Sequence, residues 1–110
     1  MCFFDYTAFE NCTMTGLKYT NCVFAGSGIR NVTIKEATLF QNNFNNCILR
    51  DVSITETDLY NSRFIASQID NTIFYDCNLK NVDFRNSLRY KVKFKYSNFE
   101  DAFFDGEDDA

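Results

Sequence analysis

Large apolar residues recur along this chain at every fifth position, a spacing that belongs to neither common secondary structure. From Phe4 the series runs through Phe9, Met14, Tyr19, Phe24, Ile29, Ile34, Leu39, Phe44 and Leu49. It continues with Ile54, Leu59, Phe64, Ile69, Phe74, Leu79, Phe84, Arg89, Phe94, Phe99 and Phe104. Twenty of these 21 positions are large and apolar in a chain that is 45% hydrophobic, and Arg89 is the exception. An amphipathic helix would repeat its apolar face about every 3.6 residues and a strand about every 2. Neither period accounts for the series.

Two further columns share the period. Two residues before each large position stands a small one, and all five cysteines (Cys2, Cys12, Cys22, Cys47 and Cys77) fall in that column. Only Leu17 and Asn42 break its small-residue rule. Two residues after each large position the column is rich in asparagine, at Asn11, Asn21, Asn31, Asn46, Asn61, Asn71, Asn81 and Asn86. Small and large inward residues two apart suit a short extended segment. Asparagine and glycine suit a tight corner after it, because both tolerate unusual backbone angles and asparagine can hydrogen-bond its own backbone.

The resulting five-residue unit is small, any, large apolar, any, then Asn, Asp or Gly. It resembles the pentapeptide-repeat family, and the match runs from residue 2 to about residue 106. The resemblance implies an all-β fold, a right-handed quadrilateral parallel β-helix of about five coils with four pentapeptides each. It departs from the commonest family form, in which Ala and Leu dominate the inward columns. Residues 1–106 are expected to form the β-helix and residues 107–110 an acidic C-terminal tail. A coil of four five-residue sides puts positions 20 apart in one stack. Phe4, Phe24, Phe44, Phe64, Phe84 and Phe104 then form a single column of phenylalanine, while the other three columns are mixed. That column is the expected structural core ladder, with rings at about 4.8 Å spacing in a rod roughly 25 Å long.

Composition narrows the chemistry. The chain has no His, Pro or Trp, so the commonest general base and any Ser-His-Asp relay are missing. No catalytic, metal or cofactor-binding residues are expected. Gly26-Ser27-Gly28 superficially suggests a phosphate loop, but no Lys follows and Ser27 falls in the small inward column. Cysteines that are odd in number and never paired as CxxC read as core fillers, with a Cys2–Cys22 bridge the one conceivable disulfide. Asn11-Cys12-Thr13 and Asn31-Val32-Thr33 match the glycosylation sequon, but asparagine at those corners is already required by the fold. Asn42 is expected to hydrogen-bond nearby corner backbone. Arg89 is expected to distort its repeat, with Leu88 or Tyr90 turned inward instead. No apolar run approaches the ~20 residues of a membrane span, and the start of the chain is no signal peptide, so the expected compartment is the cytoplasm.

Charge bears on function. The net charge is −4, and Asp105, Glu107, Asp108 and Asp109 supply all of it; residues 1–104 hold 11 basic and 11 acidic side chains. The resemblance brings with it the quinolone-resistance and topoisomerase-inhibiting members, acidic dimeric rods that imitate duplex DNA and bind DNA gyrase. Duplex DNA carries about one charge per 1.7 Å, so a mimic of this length needs roughly a dozen negative charges, and the rod is neutral. DNA gyrase is therefore the alternative partner, and the neutral rod argues against it. Nucleic acid is disfavoured as a partner, because Arg85, Arg89, Lys91, Lys93 and Lys95 spread over three faces beside Asp83 and the acidic tail. What remains is a non-enzymatic protein-interaction scaffold with an unidentified protein partner. Phe40 and Tyr60, stacked at outward positions of one side, form the expected partner surface. Tyr96, Phe99, Phe103 and Phe104 make the last coil the more apolar end, and a homodimer through that end is expected.

Overall fold

The computed structural model describes residues 3–104, which form a parallel β-solenoid advancing one coil every 20 residues. On the first side, the chain of bridges runs Phe3, Val23, Asn43, Arg63, Asp83 and Phe103. The second and third sides carry the strands. Strands β1 (Ala8–Thr15) and β2 (Gly28–Lys35) each run through both sides and the corner between them. Later coils divide there into β3 (Ile48–Arg50) and β4 (Ser53–Thr55), then β5 (Gln68–Asp70) and β6 (Ile73–Tyr75). The last pair is β7 (Leu88–Tyr90) and β8 (Lys93–Lys95). All pairings are parallel, in the order β7-β5-β3-β2-β4-β6-β8, with β1 on β2. The fourth side bridges Lys18, Thr38, Asp58 and Asn78. The molecule measures 33 × 24 × 24 Å.

The corners explain the period. Every fifth residue from Tyr6 to Tyr96 has a positive φ, and 17 of these residues are not glycine. All eight asparagines of the third column are among them. A left-handed backbone costs an ordinary residue on the order of 1 kcal/mol, and Asn and Asp less, because their short polar side chains bond locally. The corner N–H is bonded to the next coil: Asn46 donates to the Ile65 carbonyl at 2.9 Å, Asn71 to Tyr90 at 2.9 Å and Asp76 to Lys95 at 2.8 Å. Corners on either side of the first face also close on themselves, as Ser27 N–H donates to Phe24 O at 3.1 Å and Ser62 N–H to Leu59 O at 2.9 Å. With the third turn residue left-handed, these resemble type II turns. At Gly26 (φ +75°) a Cβ would meet the Tyr6 ring at 2.6 Å, so a side chain at this corner would displace that exposed ring.

The phenylalanine ladder is present as expected. Successive centroids from Phe4 to Phe104 lie 5.0, 4.8, 4.8, 5.2 and 5.3 Å apart, with ring planes within 14° of parallel. A second, short stack, Phe74 on Phe94 at 5.2 Å, stands across the core and meets the ladder edge-on: Phe74 against Phe64 and Phe84, and Phe94 against Phe84 and Phe104. Edge-to-face contact aims the positive ring rim at a negative face, so the two stacks lock each other. Burial is deepest in the middle coils, where Phe64, Phe74 and Phe84 are fully enclosed. Phe4, Phe9, Met14 and Tyr19 of the first coil are only half-buried.

The last repeat departs from the pattern. Phe99–Asp101 forms a 3₁₀ turn in place of a left-handed corner. Asn98 organises it: its Oδ1 accepts from Leu79 N–H at 2.6 Å, and its Nδ2 donates to Asp101 at 3.2 Å. Phe99, expected in the inward column, is consequently exposed.

Replacing Phe44, which is buried between two parallel rings, with alanine should lower the unfolding free energy by roughly 3–5 kcal/mol. Urea denaturation measures this. A loss below about 1 kcal/mol would show that the ladder is not the spine of the fold.

Candidate interaction surface

The inward polar residues are used up by the coil itself. In the small column four serines bridge the corner one coil earlier. Ser62 Oγ accepts from Asn42 N–H at 3.2 Å and donates to Leu39 O at 2.6 Å. Ser27, Ser67 and Ser97 repeat the arrangement, donating to the carbonyls of Phe4, Phe44 and Phe74 at 2.7–3.0 Å. Asn42 follows the rule on a larger scale, as expected: its Oδ1 accepts from Cys22 N–H at 2.9 Å, and its Nδ2 donates to Tyr19 O at 3.1 Å. Among the described residues no buried side-chain nitrogen or oxygen lacks a partner. Such satisfaction stabilises the coils, since a buried polar group left unpaired costs about 1–3 kcal/mol.

The thiols obey the same geometry. Cys47 Sγ donates to Phe24 O at 3.0 Å and Cys77 Sγ to Ile54 O at 3.2 Å. Burial pushes both thiols up to about 11. Cys22 is buried, whereas Cys12 in the open first coil is half-buried, which corrects the expectation that every cysteine lies in the core. Cys2, and with it the one conceivable disulfide, Cys2–Cys22, lies outside the described residues.

Arg89 overturns its expectation. The repeat is not distorted: β7 pairs in register, Ile69 beside Arg89. Leu88 and Tyr90, each 65% exposed, point outward. Arg89 itself takes the inward slot, half-buried, and its Nη1 donates to Phe84 O at 3.0 Å and to Ser87 Oγ at 2.7 Å. The guanidinium lies 4.9 Å from the Phe104 ring centroid. A planar, weakly hydrated cation can stack on an aromatic face and still reach backbone carbonyls, so the end of the core holds a charge that its middle would exclude.

The four residues expected at the dimer contact lie on this last coil: Tyr96, Phe99 and Phe103 are exposed, and Phe104 is half-buried. Leu88, Tyr90 and Tyr75 join them as exposed apolar side chains. Sequence reasoning expected Leu88 or Tyr90 to turn inward and passed over Tyr75, although places one residue before or after an inward position marked all three as outward. Phe103 lies under the Arg85 guanidinium, 5.6 Å from the ring centroid. Arg85 in turn holds Asp83 through its Nε and Nη2 at 2.6–3.1 Å, and these hydrogen bonds keep the Asp83 carboxyl below the usual carboxylate range. Phe40 and Tyr60, the expected partner surface, are half-buried and meet edge-on, 6.3 Å apart at 90°, so they form a surface ladder more than a free patch. The acidic residues Asp105 to Asp109 lie outside the described residues.

A family model described as the pentapeptide repeat region matches residues 37–108. The chain belongs to the pentapeptide repeat family. The repeat visible in the coils begins well before the matched span, at the first described turn. Among solved structures, this pentapeptide repeat chain is similar to a trypsin-treated form of QnrB1, a plasmid-mediated fluoroquinolone resistance protein. The TM-score is 0.82 at 19% identity, over 92% of this chain and 52% of that one. Full-length QnrB1 matches with a TM-score of 0.58 at 17% identity, over 84% of this chain and 60% of that one. At such identities the likeness is one of fold, and the chain spans about half the length of the QnrB1 structure. No curated protein matches in sequence.

The raised Cys47 and Cys77 values have a pH consequence. Folding favours the neutral thiol, so their contribution is fully present below pH 9, the ordinary value, and is lost as pH rises toward 11. Unfolding free energies measured between pH 7 and 11 should therefore decline only above pH 9. In the native protein a thiol reagent should modify Cys12 well before Cys47 or Cys77. Equal rates for the three would contradict the buried geometry.

Proposed function

We propose that this pentapeptide repeat protein is a non-enzymatic interaction scaffold that acts in the cytoplasm as a homodimer joined through its last coil. The observation that carries this reading is the crowding of exposed apolar side chains there, with Tyr90 at 65%, Tyr96 at 80% and Phe103 at 46% exposure. The inward polar groups, spent on coil-to-coil hydrogen bonds, leave the outer surface and the ends as the places for binding. The 24 × 24 Å cross-section limits an end-to-end contact to roughly 500–600 Å² per protomer, the low end for a stable interface. Association in the micromolar range follows. Reduced core thiols suit a reducing compartment, and no described helix is long and apolar enough to cross a membrane.

Sedimentation across the micromolar range should show the parent chain passing from monomer to dimer, and Phe103→Asp should hold it as a monomer. A parent that stays at 12.8 kDa throughout would remove the dimer.

A second reading, a DNA mimic that binds DNA gyrase, draws on the fold shared with a fluoroquinolone resistance protein. Charge opposes it, because 11 acidic side chains face 11 basic ones over residues 1–104. In a gyrase supercoiling assay, low-micromolar protein should leave the product unchanged. Inhibition there would reinstate the mimic.

A further inference from the structure

Three arginines of the rod pair with acids one coil or two residues away, Arg30 with Glu10, Arg50 with Asp70 and Arg85 with Asp83. Lys91, Lys93 and Lys95 occupy successive outward positions on the corner into β8 and on β8 itself, all exposed. No acid among the described residues forms an ion pair with any of them. The positions directly beneath, Asn71, Ile73 and Tyr75, are uncharged. Of the nearby acids, Asp70 is engaged by Arg50 at 3.7 Å, and Asp51 accepts from Asn71 Nδ2 at 2.6 Å.

Tyrosines flank the lysine row at both ends. The Lys91 ammonium lies 5.4 Å from the Tyr90 ring centroid, and Tyr96 meets Tyr75 edge-on at 5.4 Å beyond Lys95. Beside the row a groove at the corner between the second and third sides is lined by Lys91 and Lys93 together with Asp51, Ser53, Asn71 and Ile73. β7 and β8 are the two end strands of the sheet order among the described residues.

We propose that this lysine row is a docking surface for an extended acidic segment of a partner protein, one with carboxylates at alternate positions. The match is geometric as well as electrostatic. Alternate residues of a strand project from the same side about 6.6–6.8 Å apart, which is the spacing both of Lys93 and Lys95 and of carboxylates two apart on an extended peptide. Lys93 and Lys95 read the charge of the segment from the side of the rod. Evenly spaced ammonium groups also increase the rate of encounter with a polyanion, an effect that falls with salt. The surface lies on the side of the rod at the last coil, where it borders the contact proposed for the dimer at Tyr90 and Tyr96. It rests on the reading as an interaction scaffold and names the kind of partner.

The test uses the full chain and a fluorescein-labelled peptide of alternating Glu and Val, read by fluorescence anisotropy at low salt. A peptide of the same composition with the glutamates in one block, and a labelled oligothymidine, serve as comparisons. The alternating peptide should bind most tightly and weaken as salt rises. Reversing both charges, Lys93→Glu with Lys95→Glu, should weaken it about tenfold or more, since each exposed pair contributes up to about 1 kcal/mol. Lys18→Glu, on the fourth side of the first coil, should leave it unchanged. The milder pair Lys93→Gln with Lys95→Gln, checked by circular dichroism and melting, separates charge loss from misfolding. Absence of peptide binding, equal binding of the blocked peptide, tighter binding of oligothymidine, or indifference to the lysine substitutions in a folded variant would each overturn the proposal. The sedimentation experiment on the dimer is independent of all four results.

Discussion

A backbone that must turn left-handed at every fifth residue sets the terms for everything else in this molecule. With the corner recurring so regularly, the two residues flanking the middle of each side point out, and the small and large residues point in. The corner is unfavourable taken alone, and 17 non-glycine residues adopt it. It persists because corners before the last coil are hydrogen-bonded to the coil that follows, by their own N–H and often through the side chain of a small residue 20 positions on. Stability is thereby shared between neighbouring coils, as in other solenoids, and no single contact nucleates the whole.

The same rule explains why polar side chains are plentiful in so narrow a core. A serine in the small column completes the hydrogen bonding of a corner that valine leaves to the backbone. Asn42 spans the same two groups with a longer side chain. Buried polarity here is structural, and the chemically distinctive features lie outside: exposed aromatic rings at both ends of the rod and a row of exposed lysines on the last coil. The last coil carries positive charge and apolar surface side by side. That juxtaposition is typical of a contact region, in which aromatic anchors supply affinity and a charged rim supplies orientation.

How much of this was legible in the chain depends on whether a feature is set by local period or by what stands one coil away. The five-residue repeat, the 20-residue coil, the phenylalanine ladder and the left-handed asparagines were determined by the sequence alone. Each follows from residue size and backbone preference at a fixed spacing, and repetition reinforces the signal many times over. The outward lysines were legible as a cluster, but they read as scattered over several faces because Arg85 and Arg89 were counted with them.

Only the tertiary structure decided the rest. It showed Arg89 pointing inward, because the carbonyl of Phe84 and the face of Phe104 together accept a guanidinium that an isolated five-residue pattern would reject. It showed Phe74 and Phe94 crossing the core to meet the ladder edge-on, a contact between opposite sides that no column of the sequence records. It also showed Phe99 lifted out by a 3₁₀ turn, and Phe40 and Tyr60 half-buried against each other. In each case the outcome rests on atoms brought together across the coil or between coils, where side-chain shape and hydrogen-bond geometry prevail over the repeat.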